Sequence, residues 1–173
     1  MSTKDIFHGH IFSVVQKQMD VNGQWLWRDI VVHPGGAAVC AILENKILLV
    51  KQSRAALNGQ ETLEIPAGTL DPGEAPDATA LRELNEETGY TADHLSLISA
   101  FWPTPGYDTE VIYVYYAHNV QKATHRLAMD DTENITLVWM DLEEAYSQVK
   151  NQTIRDGKTI LAIQHAMLQK AGV

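Results

Sequence analysis

Residues 68–90 read GTLDPGEAPDATALRELNEETGY and decide the fold prediction for this chain of 173 residues. Pro76 suits the first turn of a helix, and Gly89 stands where a helix-ending glycine is expected. Between them, residues suited to an inward-facing stripe recur at helical spacing: Leu81, Leu84 and Thr88, helped by Ala80. The stretch therefore predicts a turn that leads into an amphipathic helix ending at about Thr88.

Three glutamates lie on another face of this predicted helix. Glu83 and Glu87 are four residues apart and share that face, and Glu86 stands beside them. Like charges at this spacing disfavour a helix by about a few tenths of a kcal/mol per pair. A hard divalent cation such as Mg²⁺ or Mn²⁺ offsets such repulsion, and the carbonyl of Ala67 could add an oxygen ligand. The alternative is a solvated helix face that binds nothing.

The spacing of the fixed residues favours the metal site over the solvated face. The stretch fits the pattern Gly-x5-Glu-x7-Arg-Glu-(apolar)-x-Glu-Glu-x-Gly-(apolar), with Tyr90 in the last apolar slot. The residues at its specified positions are Gly68, Glu74, Arg82, Glu83, Glu86, Glu87 and Gly89. This pattern is the signature of the Nudix hydrolases, and the chain strongly resembles that family.

The resemblance implies a fold, a metal and a reaction. The fold would be α/β (α+β), a Nudix α/β/α sandwich with a mixed sheet. The reaction would be Mg²⁺-dependent hydrolysis (Mn²⁺ being an alternative ion) of a nucleoside diphosphate linked to another group. Arg82 would orient the glutamates, with Glu86 and Glu87 among the catalytic residues, and Glu74 would brace the loop against the helix. The implied metal ligands are Ala67 through its carbonyl, Glu83, Glu86 and Glu87.

Further segments resemble the ADP-ribose pyrophosphatase branch of this family. They are residues 28–37, 50–54, 64–68 and 103–107, and Pro105 stands where that branch has proline. The leading implied function is hydrolysis of ADP-ribose to AMP and ribose 5-phosphate. The alternatives are hydrolysis of another nucleoside diphosphate sugar or a dinucleotide, and a non-catalytic nucleotide-binding regulatory module.

The same branch implies charged residues that contact the substrate. Arg28 and Arg54 would bind the nucleotide and its phosphates, since a guanidinium pairs well with phosphate oxygens. Glu64 would lie near the substrate, and Glu110 would reach the terminal ribose. For the arginines the alternative is a surface ion pair.

A loop and several aromatic residues complete the implied substrate site. Pro105, Gly106 and Tyr107 would line it, and Tyr107, Trp25 or Trp27 could stack on a base. Packing in the core or in a dimer is the alternative for the tryptophans.

The catalytic base is expected in an acidic loop, residues 130–134. Glu133 is the favoured candidate, as a base or an added metal ligand, and Asp131 is the alternative. Relatives often have glutamate where this loop has aspartate, so a solvated acidic turn is the competing interpretation.

Residues 1–33 are predicted to form an N-terminal β-hairpin or small sheet, and residues 34–173 the Nudix domain. Two segments rich in β-branched and aromatic residues, 11–18 and 25–33, flank the turn pair Asn22-Gly23. The branch often dimerises by exchanging N-terminal strands, so the hairpin is expected to build a homodimer.

Further strands are predicted at residues 37–43, 46–52, 61–65, 95–101, 110–118 and 135–140, and further helices from Asp141 to about Lys150 and over 158–170. The continuously apolar run 47–50 predicts a strand that is buried on both faces.

Composition limits which molecules the protein can bind and indicates the cellular compartment in which it works. The net charge of −9 disfavours non-specific binding to nucleic acid or to anionic membranes. The one cysteine, Cys40, excludes an intrachain disulfide and is expected to be a buried thiol. With neither a signal peptide nor a membrane span predicted, we expect a cytoplasmic protein whose partner is a small nucleoside diphosphate compound.

Overall fold

The computed structural model describes residues 2–128 and 134–172. The helices are α1 (Pro76–Thr88), α2 (Leu142–Lys150) and α3 (Gly157–Ala171). The strands are β1 (Thr3–His8), β2 (Ser13–Val21), β3 (Gln24–Val32), β4 (Gly36–Cys40), β5 (Ile42–Leu43), β6 (Lys46–Arg54), β7 (Gln60–Glu64), β8 (Ala67–Thr69), β9 (Tyr90–Thr91), β10 (His94–Phe101), β11 (Ile112–His118), β12 (Gln121–Lys122) and β13 (Thr136–Asp141).

Two sheets of four strands carry the helices. The first has the order β10-β11-β4-β8, in which β11 and β4 are parallel and the other pairs antiparallel. In the second, β6 pairs with β13 along one edge and with β5 and β7 along the other, always antiparallel. The sheet system is therefore mixed, as predicted.

The central strands are buried on both faces, because α1 covers one face and α3 the other. This arrangement is an α/β/α sandwich. In β4, Val39 packs into the cluster that holds Leu84 of α1, whereas Cys40 packs into the cluster that holds Ile163 of α3. The side chains of β6 also alternate between the two faces, with Leu48 on the α1 side and Ile47 and Leu49 on the α3 side. Successive side chains of a strand point to opposite faces, so a continuous apolar run is what this position requires.

A separate antiparallel sheet precedes the sandwich. The hairpin of β2 and β3 turns at Asn22 and Gly23, whose φ angles of 55° and 82° suit a two-residue hairpin turn. Strand β1, which adds to this hairpin, was not predicted, because Lys4 and Asp5 interrupt its apolar pattern. The sheet is tied to the sandwich at Val31, whose amide donates to the Tyr107 carbonyl at 2.7 Å. A domain boundary at residues 33 and 34 remains a prediction.

The predicted elements are confirmed with small shifts of their ends. The segment predicted at residues 37–43 is divided into β4 and β5, and β6 continues two residues further, to Arg54. The short strands β8, β9 and β12 were not predicted. Within residues 2–128 and 134–172, no helix is long and apolar enough to cross a membrane.

Candidate functional site

Arg82, in the middle of α1, is the centre of a carboxylate cluster. Its Nε and Nη2 donate to the two oxygens of Glu74, each at 3.0 Å. Its Nη1 donates to Glu83 at 2.7 Å and to Glu86 at 2.9 Å. Hydrogen bonds from Arg82, strengthened by the Thr79 hydroxyl, hold the pKa of Glu74 at about 2 against the opposing effect of burial. The guanidinium thus contacts the glutamates of α1 and the loop residue Glu74 together. The orienting role of Arg82 and the bracing role of Glu74 stay predictions.

Glu83 and Glu87 are buried where α1 meets the turn before it. Glu83 lies directly against the backbone of Gly68, since a Cβ on Gly68 would stand 1.9 Å from Glu83 Oε1. The amide of Ala67 donates to Glu87 Oε2 at 3.2 Å. A side chain at residue 68 would therefore displace the Glu83 carboxylate, which accords with the fixed place of glycine in the sequence pattern.

A cleft of about 400 Å³ opens beside these glutamates. Its wall includes Ala67, Gly68 and Glu83 from the predicted metal site, together with Arg54 and Glu110 from the predicted substrate site. Other lining residues were not predicted: Ile11, His33, Gly36, Ala37, Thr69, Ile112 and Lys158. The cleft thus brings residues of the predicted metal site and substrate site to one place.

Glu64 holds two cations at the edge of the cleft. Arg54 Nε and Nη2 donate to its two oxygens at 2.7 and 2.5 Å, and Lys158 Nζ donates to Oε2 at 2.6 Å. Although burial opposes ionisation, these bonds hold the pKa of Glu64 at about 2. The hydrogen bond to Glu64 in turn raises the pKa of Arg54, with a smaller contribution from the charge of Glu87. Arg54 is therefore bound to Glu64 and also lies within the electrostatic range of Glu87.

Glu64 itself is not part of the cleft wall. It lines a second cavity of about 400 Å³ on the other side of Arg54. Its observed contacts give it the role of fixing Arg54 and Lys158, which do line the cleft. Lys158 was missed because it lies 94 residues from Glu64, and no local pattern reports that contact.

His33 and Glu110 lie next to each other in the cleft wall. The Gly35 amide donates to His33 Nδ1 at 3.0 Å, whereas Glu110 Oε1 lies 3.6 Å from the same nitrogen. Only an unprotonated Nδ1 can accept the first bond, and the second distance is too long for a hydrogen bond. Nδ1 of His33 is therefore the acceptor for the Gly35 amide. Glu110 lines the cleft beside His33, and its contact with a terminal ribose stays a prediction.

The remaining predicted substrate residues lie outside the cleft wall of the single chain. Arg28 is exposed on β3, and its Nη1 donates to the carbonyl of Trp27 at 3.1 Å. Lys4 Nζ lies 4.2 Å from the centre of the Trp27 ring. The loop of Pro105, Gly106 and Tyr107 is exposed as well. Their contact with a substrate stays a prediction.

Both candidates for the catalytic base, Asp131 and Glu133, lie outside the described residues. Within residues 2–128 and 134–172, no three His, Cys, Asp or Glu side chains are grouped around one metal position. Arg82 Nη1 stands between Glu83 and Glu86, so their oxygens would have to turn to share a cation. The metal-binding role of the α1 glutamates is therefore a prediction that rests on chemistry and sequence.

Residues 32–163 match the model of the NUDIX domain. The chain belongs to the Nudix family. Among curated proteins, it is 39% identical over 173 residues to the ADP-ribose pyrophosphatase of Bacillus subtilis (strain 168), covering 99% of this chain and 93% of that protein. It is 40% identical, with the same coverage, to the methanol dehydrogenase activator of Bacillus methanolicus. A GDP-mannose pyrophosphatase of Yersinia pestis is 33% identical over 148 residues, which are 79% of this chain and 74% of that protein.

A solved structure gives independent support for the Nudix fold. The crystal structure of an ADP compounds hydrolase superposes with a TM-score of 0.83 at 18% identity, covering 99% of this chain and 94% of that one.

The carboxylates around Arg82 are chemically suited to bind a divalent cation. Nudix hydrolases generally use a divalent metal. Glu74, Glu83 and Glu86 all form ion pairs with the guanidinium of Arg82, so three carboxylates are gathered around one side chain. Carboxylate oxygens are the preferred ligands of hard divalent ions. Ala67 and Gly68 stand beside the buried carboxylates of Glu87 and Glu83.

Proposed function

We propose that this Nudix protein hydrolyses ADP-ribose to AMP and ribose 5-phosphate with Mg²⁺, for which Mn²⁺ can substitute. The observation that carries the proposal is the buried carboxylate cluster of α1 beside a cleft that also holds Arg54 and Lys158. Glu83, a proposed metal ligand, and two positive groups suited to phosphate thus border one cavity. Full-length similarity to an ADP-ribose pyrophosphatase supports the choice of substrate.

The α1 glutamates would hold the cation, and Arg82 would keep them oriented. Glu83, Glu86, Glu87 and the carbonyl of Ala67 are the proposed ligands. When bound, a divalent cation would neutralise the pyrophosphate and lower the pKa of a coordinated water. Glu133 is the proposed base that takes the proton of the attacking water, with Asp131 as the alternative.

The cations at the cleft would bind and orient the pyrophosphate. Arg54 presents a planar guanidinium suited to two phosphate oxygens, and Lys158 adds a compact charge. Because Glu64 fixes both side chains, their positions would be set before the substrate arrives. Glu110 would accept hydrogen bonds from hydroxyl groups of the terminal ribose.

The protein is further proposed to act as a homodimer in the cytoplasm. The N-terminal sheet exposes large apolar side chains, of which Phe7, Ile11 and Trp25 are each more than half exposed. A second chain would cover them and could bring Arg28 and Trp27 to the substrate. Light scattering with size exclusion tests this: a mass of one chain at micromolar concentration would refute the dimer.

A regulatory role is the second candidate, because one close relative is named an activator. A substrate panel with Mg²⁺ or chelator separates the two functions. We expect Mg²⁺-dependent release of AMP from ADP-ribose, faster than cleavage of ADP-glucose, GDP-mannose or dinucleoside polyphosphates. A lack of turnover for the whole panel, with nucleotide binding intact, would support the regulatory role. Faster cleavage of GDP-mannose would move the substrate to the class of the Yersinia relative.

A further inference from the structure

Residues 123–128, which we name the capping segment, are bound to the C-terminal end of α1. The Ala123 amide donates to the Gly89 carbonyl at 2.9 Å. Asn85 Nδ2 donates to the His125 carbonyl at 3.1 Å, and Asn85 Oδ1 accepts from the Leu127 amide at 2.7 Å. A single amide side chain of the helix thus binds the backbone of the capping segment on both sides of Arg126.

Arg126 extends from this segment over the last turn of α1. Its Nη2 donates to the Glu87 carbonyl at 3.0 Å and to the Glu86 carbonyl at 3.3 Å, and its Nε lies 3.4 Å from the latter. The last carbonyls of a helix lack partners within the helix, and a positive charge there is favourable. Arg126 therefore caps the two residues whose side chains are proposed metal ligands.

Gly89 makes room for this arrangement. Its φ of +74° is a left-handed conformation that ends the helix. A Cβ at this position would stand 3.3 Å from Arg126 Cδ, which is a tight contact. The second glycine of the Nudix pattern therefore serves both the helix end and the approach of the arginine.

We propose that Asn85 and Arg126 are positioning residues of the metal site. Asn85 occupies a position of the pattern at which any residue is allowed. Its bonds to His125 and Leu127 hold Arg126 in place, and Arg126 fixes the backbone of Glu86 and Glu87. The inference rests on the proposed metal-binding role of these glutamates.

The physical reason is the precision that a metal site demands. Ligands must be held within about 0.5 Å of their productive geometry, and partners behind the ligands often set the affinity. A helix end frays when its carbonyls lose their partners. Fraying at Glu86 and Glu87 would spread their carboxylates over several positions and lower the affinity for the cation. The phosphate-binding side of the cleft would stay intact.

The test compares Asn85→Ala, Arg126→Ala and Arg126→Lys with wild type. Mn²⁺ binding without substrate is measured by electron paramagnetic resonance, and Mg²⁺-dependent turnover of ADP-ribose is measured alongside. Gln148→Ala is the matched control, since Gln148 is also a helical amide, but its side chain donates to Glu144 of its own helix, at 3.3 Å. Hydrogen exchange of residues 86–89 reports the order of the helix end.

For Asn85→Ala and Arg126→Ala we expect the Kd for Mn²⁺ to rise about tenfold, with faster amide exchange at residues 86–89. The value of kcat at fixed Mg²⁺ falls, while KM for ADP-ribose at saturating Mg²⁺ changes less than about twofold. Arg126→Lys keeps the charge but loses the guanidinium group, which binds two carbonyls at once. Its Kd for Mn²⁺ should therefore lie between the values for wild type and Arg126→Ala. Gln148→Ala matches wild type.

Each failure has its own signature. If wild type binds no Mn²⁺, the proposed metal site is wrong, and this inference with it. If wild type binds Mn²⁺ and Asn85→Ala and Arg126→Lys bind it equally well with unchanged exchange, only the positioning role is overturned. Should Arg126→Ala fail to fold, Asn85→Ala and Arg126→Lys decide the question, because neither removes the charge at the helix end.

Discussion

Replacing Glu64 by glutamine should destabilise the protein far more than the same replacement at Glu61, a neighbour on β7. Glu64 is buried and binds Arg54, Lys158 and Thr62. Glutamine has almost the same shape, but its amide NH₂ would point a donor at groups that are themselves donors. The two cations would then share a buried site that has lost its carboxylate.

The structure supplies the magnitude in two ways. A carboxyl whose pKa falls from 4.5 to about 2 on folding contributes about 3 kcal/mol at neutral pH. Breaking a buried ion pair by removing one partner costs about 3–5 kcal/mol. Because Lys158 keeps its bond to Asp156, we adopt the lower figure of about 3 kcal/mol, or roughly 6–12 °C in Tm.

Urea unfolding at pH 7 measures this difference against a matched control on the same strand. Glu61 pairs with Lys51 at 2.9 Å, but its side chain is 61% exposed. Glu61→Gln should therefore cost less than about 1 kcal/mol. The reasoning would be refuted if the two variants unfolded at the same urea concentration.

The pH dependence gives the sign of the effect. Folding lowers the pKa of Glu64, so its contribution is fully present above 4.5 and is lost as the pH falls through about 2. The stability difference between wild type and Glu64→Gln should therefore shrink between pH 4.5 and pH 2. A difference that stayed constant over this range would assign the cost to packing.

Three further changes test other parts of the structure. Gly68→Ala should displace Glu83 and raise the Mg²⁺ concentration needed for half-maximal activity at least about tenfold, whereas Gly157→Ala, placed in open space, should not. Glu74→Gln should lower the Tm by about 2–4 °C at pH 7, and the loss should fade as the pH falls from 4.5 to about 2, which calorimetry can follow. Cys40 is buried, and burial raises its pKa to about 12, so a thiol reagent followed by mass spectrometry should label it at least about 100-fold faster in urea than in the native protein.

The sequence predicted those parts of the fold that local patterns determine. Helix α1 begins at Pro76 and ends before Gly89 as expected, because first-turn and terminating residues act locally. The two-sided burial of β6 follows from its continuous apolar run. Strands β9 and β12 were missed because two residues carry too little pattern, and their pairing joins Tyr90 to Lys122 across the chain.

In the candidate site, too, local patterns located some residues, whereas others are brought together only by the fold. Arg82 and its glutamates lie within one turn and a loop, so a single pattern located them together. Lys158 reaches the cleft only through the fold, and its neighbours in sequence give no sign of it. His33 lies in the segment 28–37 that resembles the branch, but that resemblance did not single it out. The sequence resemblance placed Glu64 near the substrate, whereas its contacts make it the support of Arg54 and Lys158.

The central claim is that the α1 glutamates hold a divalent cation that hydrolysis requires. The most direct test is the initial rate of AMP formation from ADP-ribose by wild type and Glu87→Gln, as Mg²⁺ is added back to chelated protein. Glu87 is buried and accepts the Ala67 amide, a bond that glutamine can keep. We predict a saturable dependence on Mg²⁺ for wild type and a rate at least about 100-fold lower for Glu87→Gln. AMP formation that ignores Mg²⁺, or a Glu87→Gln variant as fast as wild type, would contradict the account.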